Sequence, residues 1–429
     1  MLQISKASLT YESEKLRKAF GFKGSAIHEI WQTIVGLSGP AGSFGLGLGV
    51  QSVLWSDAKV FTRHTEQQGN QLMLALSQYA LQLIEGQSYS NPIHMMEQLL
   101  EPVWAYGKKL TQNTQLRKTF VLNALVPIDN AAWVLYARQN DKQNFDELIP
   151  QIYRPALAHR HQKVASIPAL SYGASMASIK QLLEEGYFIL KIKIGAPGDQ
   201  AEMLAKDQAF LKQIHQTIDS VRTPHTPNGK IPYYFDANGR YESIEQMHHF
   251  LDFAEQIGAL EQIVVLEEPF GERFSQSVAS LTQRGPLLAA DESAHTEQEA
   301  QIRIDQGYNC LALKPVAKTM SMSLKVAKLA HEQSIPCFCA DLTVNPTLVD
   351  WNKNFAARLA PLPGLSLGLL ENNGWQNYQD WERLMSYHPK PKAHWLRPTG
   401  GVFATDQTFY AQSGGILQDS LYYQTKFKR

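Results

Sequence analysis

The chain has 429 residues, 44% of them hydrophobic and 19% charged, with 40 Lys plus Arg against 40 Asp plus Glu. That balance excludes a disordered chain, and a net charge of zero leaves no surplus for gripping a phosphate backbone or an anionic bilayer, so neither nucleic acid nor a membrane is an expected partner. The start, MLQISKASLTYESEKLRKAF, lacks the apolar core of a signal peptide, no apolar run approaches the roughly 18 residues of a membrane span, and the three cysteines (Cys310, Cys337, Cys339) do not make a secreted disulfide framework. A soluble cytoplasmic globular protein is the expectation.

The first 60 or so residues are β-branched, aromatic and glycine-rich, and Asn70 to Leu110 carries Leu, Met and Ile at helical spacing. A few strands followed by helices predict an α+β domain, taken as residues 1–135. Gly36 to Val50 reads GLSGPAGSFGLGLGV, with six glycines. No Gly-Lys-Ser/Thr follows it, so a phosphate-cradling loop is disfavoured against a mobile loop or a glycine-rich hairpin.

From Lys163 the texture changes to short apolar runs, each followed by a stretch long enough for a helix. The runs are SIPALSY (166–172), FILKIKI (188–194), IPYYFDA (231–237), IVVLEE (263–268), LLAAD (287–291), CLALK (310–314), PCFCA (336–340) and LSLGLL (365–370). Eight such units predict an α/β fold, a (β/α)8 TIM-type barrel spanning residues 160–372. Ser175 to Glu185 and Ser243 to Ile257 read as helices closed by Gly186 and Gly258, and Ser220 to Pro232 as a surface excursion without chemistry. Residues 373–429 are aromatic-bearing, lack the βα pattern, and are expected to pack back on the N-terminal domain.

In a parallel barrel the chemistry sits at the C-terminal strand ends. Read in order, those ends carry Lys191 and Lys193, Asp236 and Asn238, Glu267 and Glu268, Asp291 and Glu292, then Lys314. Two residues apart in a strand, Lys191 and Lys193 share a face. Burial would depress both pKa values unless anions compensate, making one a usable base near neutral pH. Asp236, Glu267 and Asp291 end adjacent strands; three converging carboxylates need a cation, and hard oxygen ligands suit Mg²⁺. The alternative for acids at strand ends is helix capping, which Asp291 or Glu292 could also perform. Asp341, after the seventh run, faces the site or caps the following turn; His248 and His249 read as surface or packing residues on a helix.

Lys191-Ile-Lys193, Asp236-Ala-Asn238, Glu267-Glu-Pro269, Ala290-Asp291-Glu-Ser293 and Lys314, in this order, resemble the motifs of the enolase superfamily, muconate-lactonizing-enzyme subgroup. The resemblance implies an N-terminal α+β capping domain completed by the C-terminal segment, with Gly36 to Val50 similar to the mobile loop that closes over substrate. It implies Asp236, Glu267 and Asp291 as Mg²⁺ ligands, with Asn238, Glu268 and Glu292 behind them. It further implies Lys193 as base on one substrate face, Lys314 on the other, and Lys191 beside the substrate carboxylate. The activity implied is proton abstraction α to a carboxylate through an enediolate, as in a racemase or epimerase. A small-molecule carboxylate is the partner, and a homo-oligomer is left open.

One departure limits the likeness. Dipeptide epimerases carry Asp-x-Asp at the eighth strand to hold a substrate ammonium, whereas this chain reads Leu369-Leu-Glu371-Asn-Asn373-Gly. Only Glu371 is left to meet an amine. Syn elimination or cycloisomerisation, of the o-succinylbenzoate synthase or muconate cycloisomerase type, is the alternative reaction, and a non-catalytic metal-containing binding protein is a third reading.

Overall fold

The computed structural model describes residues 1–22 and 25–427; Lys23, Gly24, Lys428 and Arg429 lie outside them. Three strands open the chain: Lys6–Phe22, Ser25–Ser38 and Phe44–Val50 form an antiparallel sheet in that order. Helices Glu66–Ile84, Pro92–Leu110 and Lys118–Gln139 follow; the first and third lie on the sheet, and the second packs on those two. Thr65 caps the first of them in a reciprocal capping box with Gln68. Asn91 caps the second ahead of Pro92, whose missing N–H is harmless at a helix start.

The glycine-rich segment is the hairpin of the two readings and not a mobile loop. Gly45, Gly47 and Gly49 alternate along strand Phe44–Val50 and therefore share one face, which lies directly on helix Lys118–Gln139. A Cβ on Gly47 would sit 2.1 Å from the Pro127 carbonyl oxygen, and one on Gly45 2.2 Å from that of Ala131. The glycines are there for close approach of helix to sheet. Helix Lys118–Gln139 runs past the expected boundary at 135, and by length and mean hydropathy it is apolar enough to cross a membrane, although Asn123, Asp129 and Asn130 interrupt its apolar run. Here that apolarity is spent on contacts, because nearly every residue from Thr119 to Leu135 is buried between the sheet and the rest of the protein.

The eight expected apolar runs each contain a strand, and their parallel pairing follows chain order. The first stave is broken at Pro168, which cannot donate to a ladder. Its first part, Lys163–Ile167, pairs with the eighth stave (Gly368–Glu371), and its second, Ala169–Leu170, with the second stave (Leu190–Lys193). Because one strand pairs on both sides, the sheet returns on itself as a barrel. Staves three to seven are Tyr233–Asp236, Ile263–Glu267, Leu287–Ala290, Cys310–Leu313 and Cys337–Cys339. The two helices read from sequence appear as Met176–Glu184 and Ile244–Gln256, with Gly186 and Gly258 beyond them at positive φ. All three cysteines are free and buried in the barrel wall.

The C-terminal segment straddles both parts. Its strand Val402–Ala404 pairs antiparallel with the first stave. Tyr378 meets the N-terminal sheet by a bridge to Leu16 and by accepting at its hydroxyl from Gln32 at 2.8 Å, and Arg138 reaches Asp419 at 2.5 Å.

Candidate active site

The strand register builds the site. Lys193, Asp236 and Glu267 are Cα partners across staves two, three and four, so they stand level at the C-terminal rim. Side chains two residues apart share the barrel interior, which aligns Lys191 under Lys193 and Tyr234 under Asp236. Strain gathers at the same rim: Asn238, Glu268 and Thr343, in the turns that leave staves three, four and seven, and Thr319, after the short helix that follows stave six, have positive φ without being glycine.

Lys191 is buried and shared among three carboxylates, at 2.9 Å from Asp236, 2.9 Å from Glu267 and 3.1 Å from Glu371. Lys193 donates to Asp236 Oδ2 at 2.5 Å and to Asn238 Oδ1 at 2.6 Å, and the Asn238 amide continues to Glu292 at 3.1 Å. Across the barrel, Lys314 donates to Asp291 Oδ2 at 2.5 Å. Lys318, one helical turn later, takes the other oxygen at 3.2 Å and the backbone carbonyls of Asp291 and Ala294. Staves two and six are four apart in a ring of eight, so Lys193 and Lys314 stand on opposite walls.

At Lys191 the anions compensate for burial, the exception that the sequence reading allowed. Burial alone would lower Lys191, but Asp236, Glu267 and Glu371 together raise it well above its ordinary value. Lys314 is likewise raised, burial being outweighed by Asp291 and Glu292. The acids split accordingly. Burial would raise Asp236, yet Lys191 and Lys193 hold it at about 2; Asp291 is also held down, against burial, by Lys314 and Lys318. Glu267 goes the other way, pushed far up by burial and by the neighbouring Asp236 charge, while the Tyr234 hydroxyl donates to it. Glu268 rises to about 8 through burial and Glu292, and accepts from the Asp291 N–H at 2.7 Å. Buried carboxylates therefore outnumber the lysines that reach them.

That surplus is the test of fit for a metal ion. Glu267, Asp291 and Glu292 each offer an oxygen within 4.8 Å of the other two. One Glu292 oxygen, Oε2, is buried without any hydrogen-bond partner. An orphaned carboxylate oxygen in a cluster of hard donors fits a divalent cation. The trio differs from the sequence reading by one member: Glu292 is in it, while Asp236 is held by Lys191 and Lys193.

The eighth-stave acid is not free. Glu371 accepts from Lys191, from the Asp341 N–H at 3.0 Å and from the Asn373 amide at 3.2 Å. Asp341 neither projects alone into the site nor caps the next helix, which Asn345 caps. Its carboxylate accepts from Leu342 and Asn373 backbone N–H groups, tying staves seven and eight together, and burial with the Glu371 charge raises it to about 7. His248 and His249 lie on helix Ile244–Gln256 away from the rim, His248 contacting Ser280 at 3.0 Å.

Four contributors escaped the sequence reading: Lys318, Tyr234, Trp55 and Arg117. Trp55, on the short N-terminal helix Val53–Ser56, lays its ring 4.5 Å from the Lys314 ammonium and has a buried indole N–H without a partner. Arg117, at the start of helix Lys118–Gln139, donates to the Glu292 carbonyl at 2.6 Å. The Lys314-x-x-x-Lys318 spacing was the only local signal for any of them.

No protein-family model matches the chain, and no curated protein matches it by sequence. Solved structures do. A mandelate racemase/muconate lactonizing protein from Herpetosiphon aurantiacus superposes with a TM-score of 0.64 at 16% identity, covering 94% of this chain and 96% of its own. The Cytophaga hutchinsonii dipeptide epimerase, complexed with Mg and D-Ala-L-Val, gives 0.63 at 15% identity, covering 88% and 89%. The N-succinyl Arg/Lys racemase of Bacillus cereus gives 0.63 at 15% identity, also over 88% and 89%. The fold of this chain is the capped barrel of the enolase superfamily.

Proposed function

We propose that the protein is a Mg²⁺-dependent racemase or epimerase that moves the proton α to a substrate carboxylate. The observation that carries the reading is the pairing of Lys193 and Lys314 with carboxylates of one acidic cluster from opposite barrel walls. Glu267 and Asp291 would hold the metal, with Asp236 and Glu292 at its sides. A divalent cation there supplies the charge that makes a carboxylate α-proton removable at neutral pH and takes up the surplus of negative charge that now clamps the lysines.

This chain's own residues do the rest. A planar enediolate between the walls presents one face to Lys193 and the other to Lys314, so one ammonium returns what the other amine removes. Lys191, fixed as a cation by three carboxylates, stabilises the negative charge and is not the base. Dipeptide epimerases are among the structural neighbours, yet Glu371 is engaged by three donors and leaves no free carboxylate for an α-ammonium. The substrate we favour is an N-acylated amino acid, whose amide needs hydrogen bonds and no counter-charge.

A panel of N-acylated and free amino acids and dipeptides, incubated in D₂O with and without Mg²⁺, tests this. The expected result is metal-dependent deuterium uptake at Cα of the N-acylated compounds from both stereoisomers. Exchange that survives exhaustive EDTA would remove the metal assignment. Product formation with no deuterium in recovered substrate of either hand would replace epimerisation by syn elimination with the same lysines.

A further inference from the structure

Outside the acid and lysine cluster, one fully buried carboxylate joins the N-terminal cap to the barrel. Asp129 lies midway along helix Lys118–Gln139 and is solvent-inaccessible. Its two oxygens accept separately from Ser321, Oδ2 from the backbone N–H at 3.0 Å and Oδ1 from the hydroxyl at 2.5 Å. The Ser321 hydroxyl in turn accepts from the Trp133 indole at 3.0 Å, so every polar group of the chain is used. The partners are uncharged. Burying a carboxylate without a cation is unfavourable, and a neutral hydrogen-bonded pair would join two elements with less penalty. What a carboxylate adds is two acceptors at a fixed angle, gripping both the backbone and the side chain of one residue.

Ser321 opens helix Met320–Glu332, immediately after the unit that carries Lys314. Lys314 ends the sixth stave, and its carbonyl accepts from the Ala317 and Lys318 N–H groups at 2.9 and 2.7 Å, folding residues 314–318 into one compact turn. Thr319, buried and at φ +71, joins that turn to Ser321. A β-branched residue at positive φ is strained, and Thr319 is held there by its burial and by its hydroxyl accepting from the Met322 N–H at 3.1 Å. The same cap helix grips the neighbouring loop, where Arg117 donates to the Glu292 carbonyl at 2.6 Å.

We propose that the Trp133–Ser321–Asp129 chain is a positioning device that sets Lys314 from the cap side, so that the cap helix forms part of the base's mounting and is not only a cover. The inference rests on the reading of Lys314 as a base, but its first test does not. In the full-length protein, Asp129→Asn keeps shape while turning one acceptor into a donor facing Ser321, and Ser321→Ala removes the hydroxyl alone. Amide hydrogen exchange of residues 314–323, followed by mass spectrometry, should speed up at least tenfold in each variant, with the barrel peptides of staves two to four unchanged. Unchanged protection at 314–323 in both variants would overturn the proposal whether or not a substrate is known.

The second measurement is stereochemical and uses whichever N-acylated amino acid the wild type exchanges. Both variants should lower the rate of α-hydrogen exchange without inversion at least fivefold for the stereoisomer whose exchange Lys314→Ala abolishes, with the opposite stereoisomer's exchange within twofold, while net racemisation, tied by its equilibrium constant, falls equally in both directions. A purely structural role would lower both exchange rates together, and that result would also overturn it. If the wild type exchanges no compound of the panel, the functional reading falls while the amide-exchange result still decides the positioning role.

Discussion

The two walls of the barrel that carry the opposed lysines are built differently. On the second stave, Lys193 keeps 24% of its side chain exposed and meets one carboxylate and one amide; on the sixth, Lys314 is 3% exposed, roofed by Trp55, and shares Asp291 with a second ammonium. The first wall is open to water at its rim, the second is sealed by the cap. An amine in contact with solvent regains a solvent proton each cycle, whereas a sealed one keeps the proton it removed. If both serve one substrate, the two directions of reaction should differ in how much solvent hydrogen the product carries.

The lysine replacements have the largest expected effect on this asymmetry. Lys193→Ala and Lys314→Ala should each depress α-hydrogen exchange from one stereoisomer by about 10²–10⁴-fold and leave the other measurable, as followed by NMR in D₂O. Equal loss from both stereoisomers in either variant would erase the distinction between the walls. Next comes the composition of the acidic cluster. Glu267→Gln and Asp291→Asn should weaken Mg²⁺ binding by tenfold or more in titration calorimetry, and comparing Asp236→Asn with Glu292→Gln shows which wall completes the set. The orphaned Glu292 oxygen leads us to expect the larger loss from Glu292→Gln.

A smaller effect is expected at the roof. Trp55→Leu removes a ring over an ammonium, an interaction of about 0.5–2 kcal/mol, and should slow α-hydrogen exchange only from the stereoisomer served by Lys314. The Asp129 carboxyl gives a pH signature of the sealed side. Burial outweighs its hydrogen bonds and raises it to about 7. The folded state therefore holds a proton that the unfolded chain releases near pH 4, so this group's effect is to reduce stability as pH rises from about 4 to 7, with no further change above. Asp129→Asn should accordingly recover stability relative to wild type at pH 8 more than at pH 5, by roughly 3 kcal/mol at most, as read from thermal melts. The smallest effect is expected far from both walls: the exposed Arg397–Glu382 pair should contribute under about 0.5 kcal/mol, so Glu382→Gln should leave the melt unchanged.

The barrel was legible because its signal is local. Apolar runs end in Lys, Asp or Glu, the runs recur in order, and strand parity alone puts Lys191 and Lys193 on one face. What escaped is what depends on contacts between distant segments. Trp55 and Lys314 are 259 positions apart, and nothing in VLWS distinguishes a roof from an ordinary apolar turn. Tyr234 reads as one more aromatic in an apolar run until register places it beneath Asp236. Glycines 45, 47 and 49 left two readings open because freedom and close approach leave the same trace in a sequence; only the helix lying on them tells the two apart. The balance of burial against charge at Lys191 stayed open for a related reason, since it requires knowing that Glu371 comes back to Lys191 from the far end of the barrel.

The contact between the glycine strand and helix Lys118–Gln139 has a mechanical consequence. With carbonyl oxygens where a Cβ would have to stand, strand and helix cannot slide past each other by a side chain's width without colliding. The cap sheet and its long helix therefore behave as one stiff plate, whose far face holds the turns of the fifth and sixth staves through Arg117 and Asp129. Any opening that admits a substrate between Trp55 and Lys314 must then swing that plate as a unit, against the Tyr378, Asp419 and Ser321 contacts that tie it to the rest of the protein. Stiffening the glycine hairpin would leave such a swing unchanged.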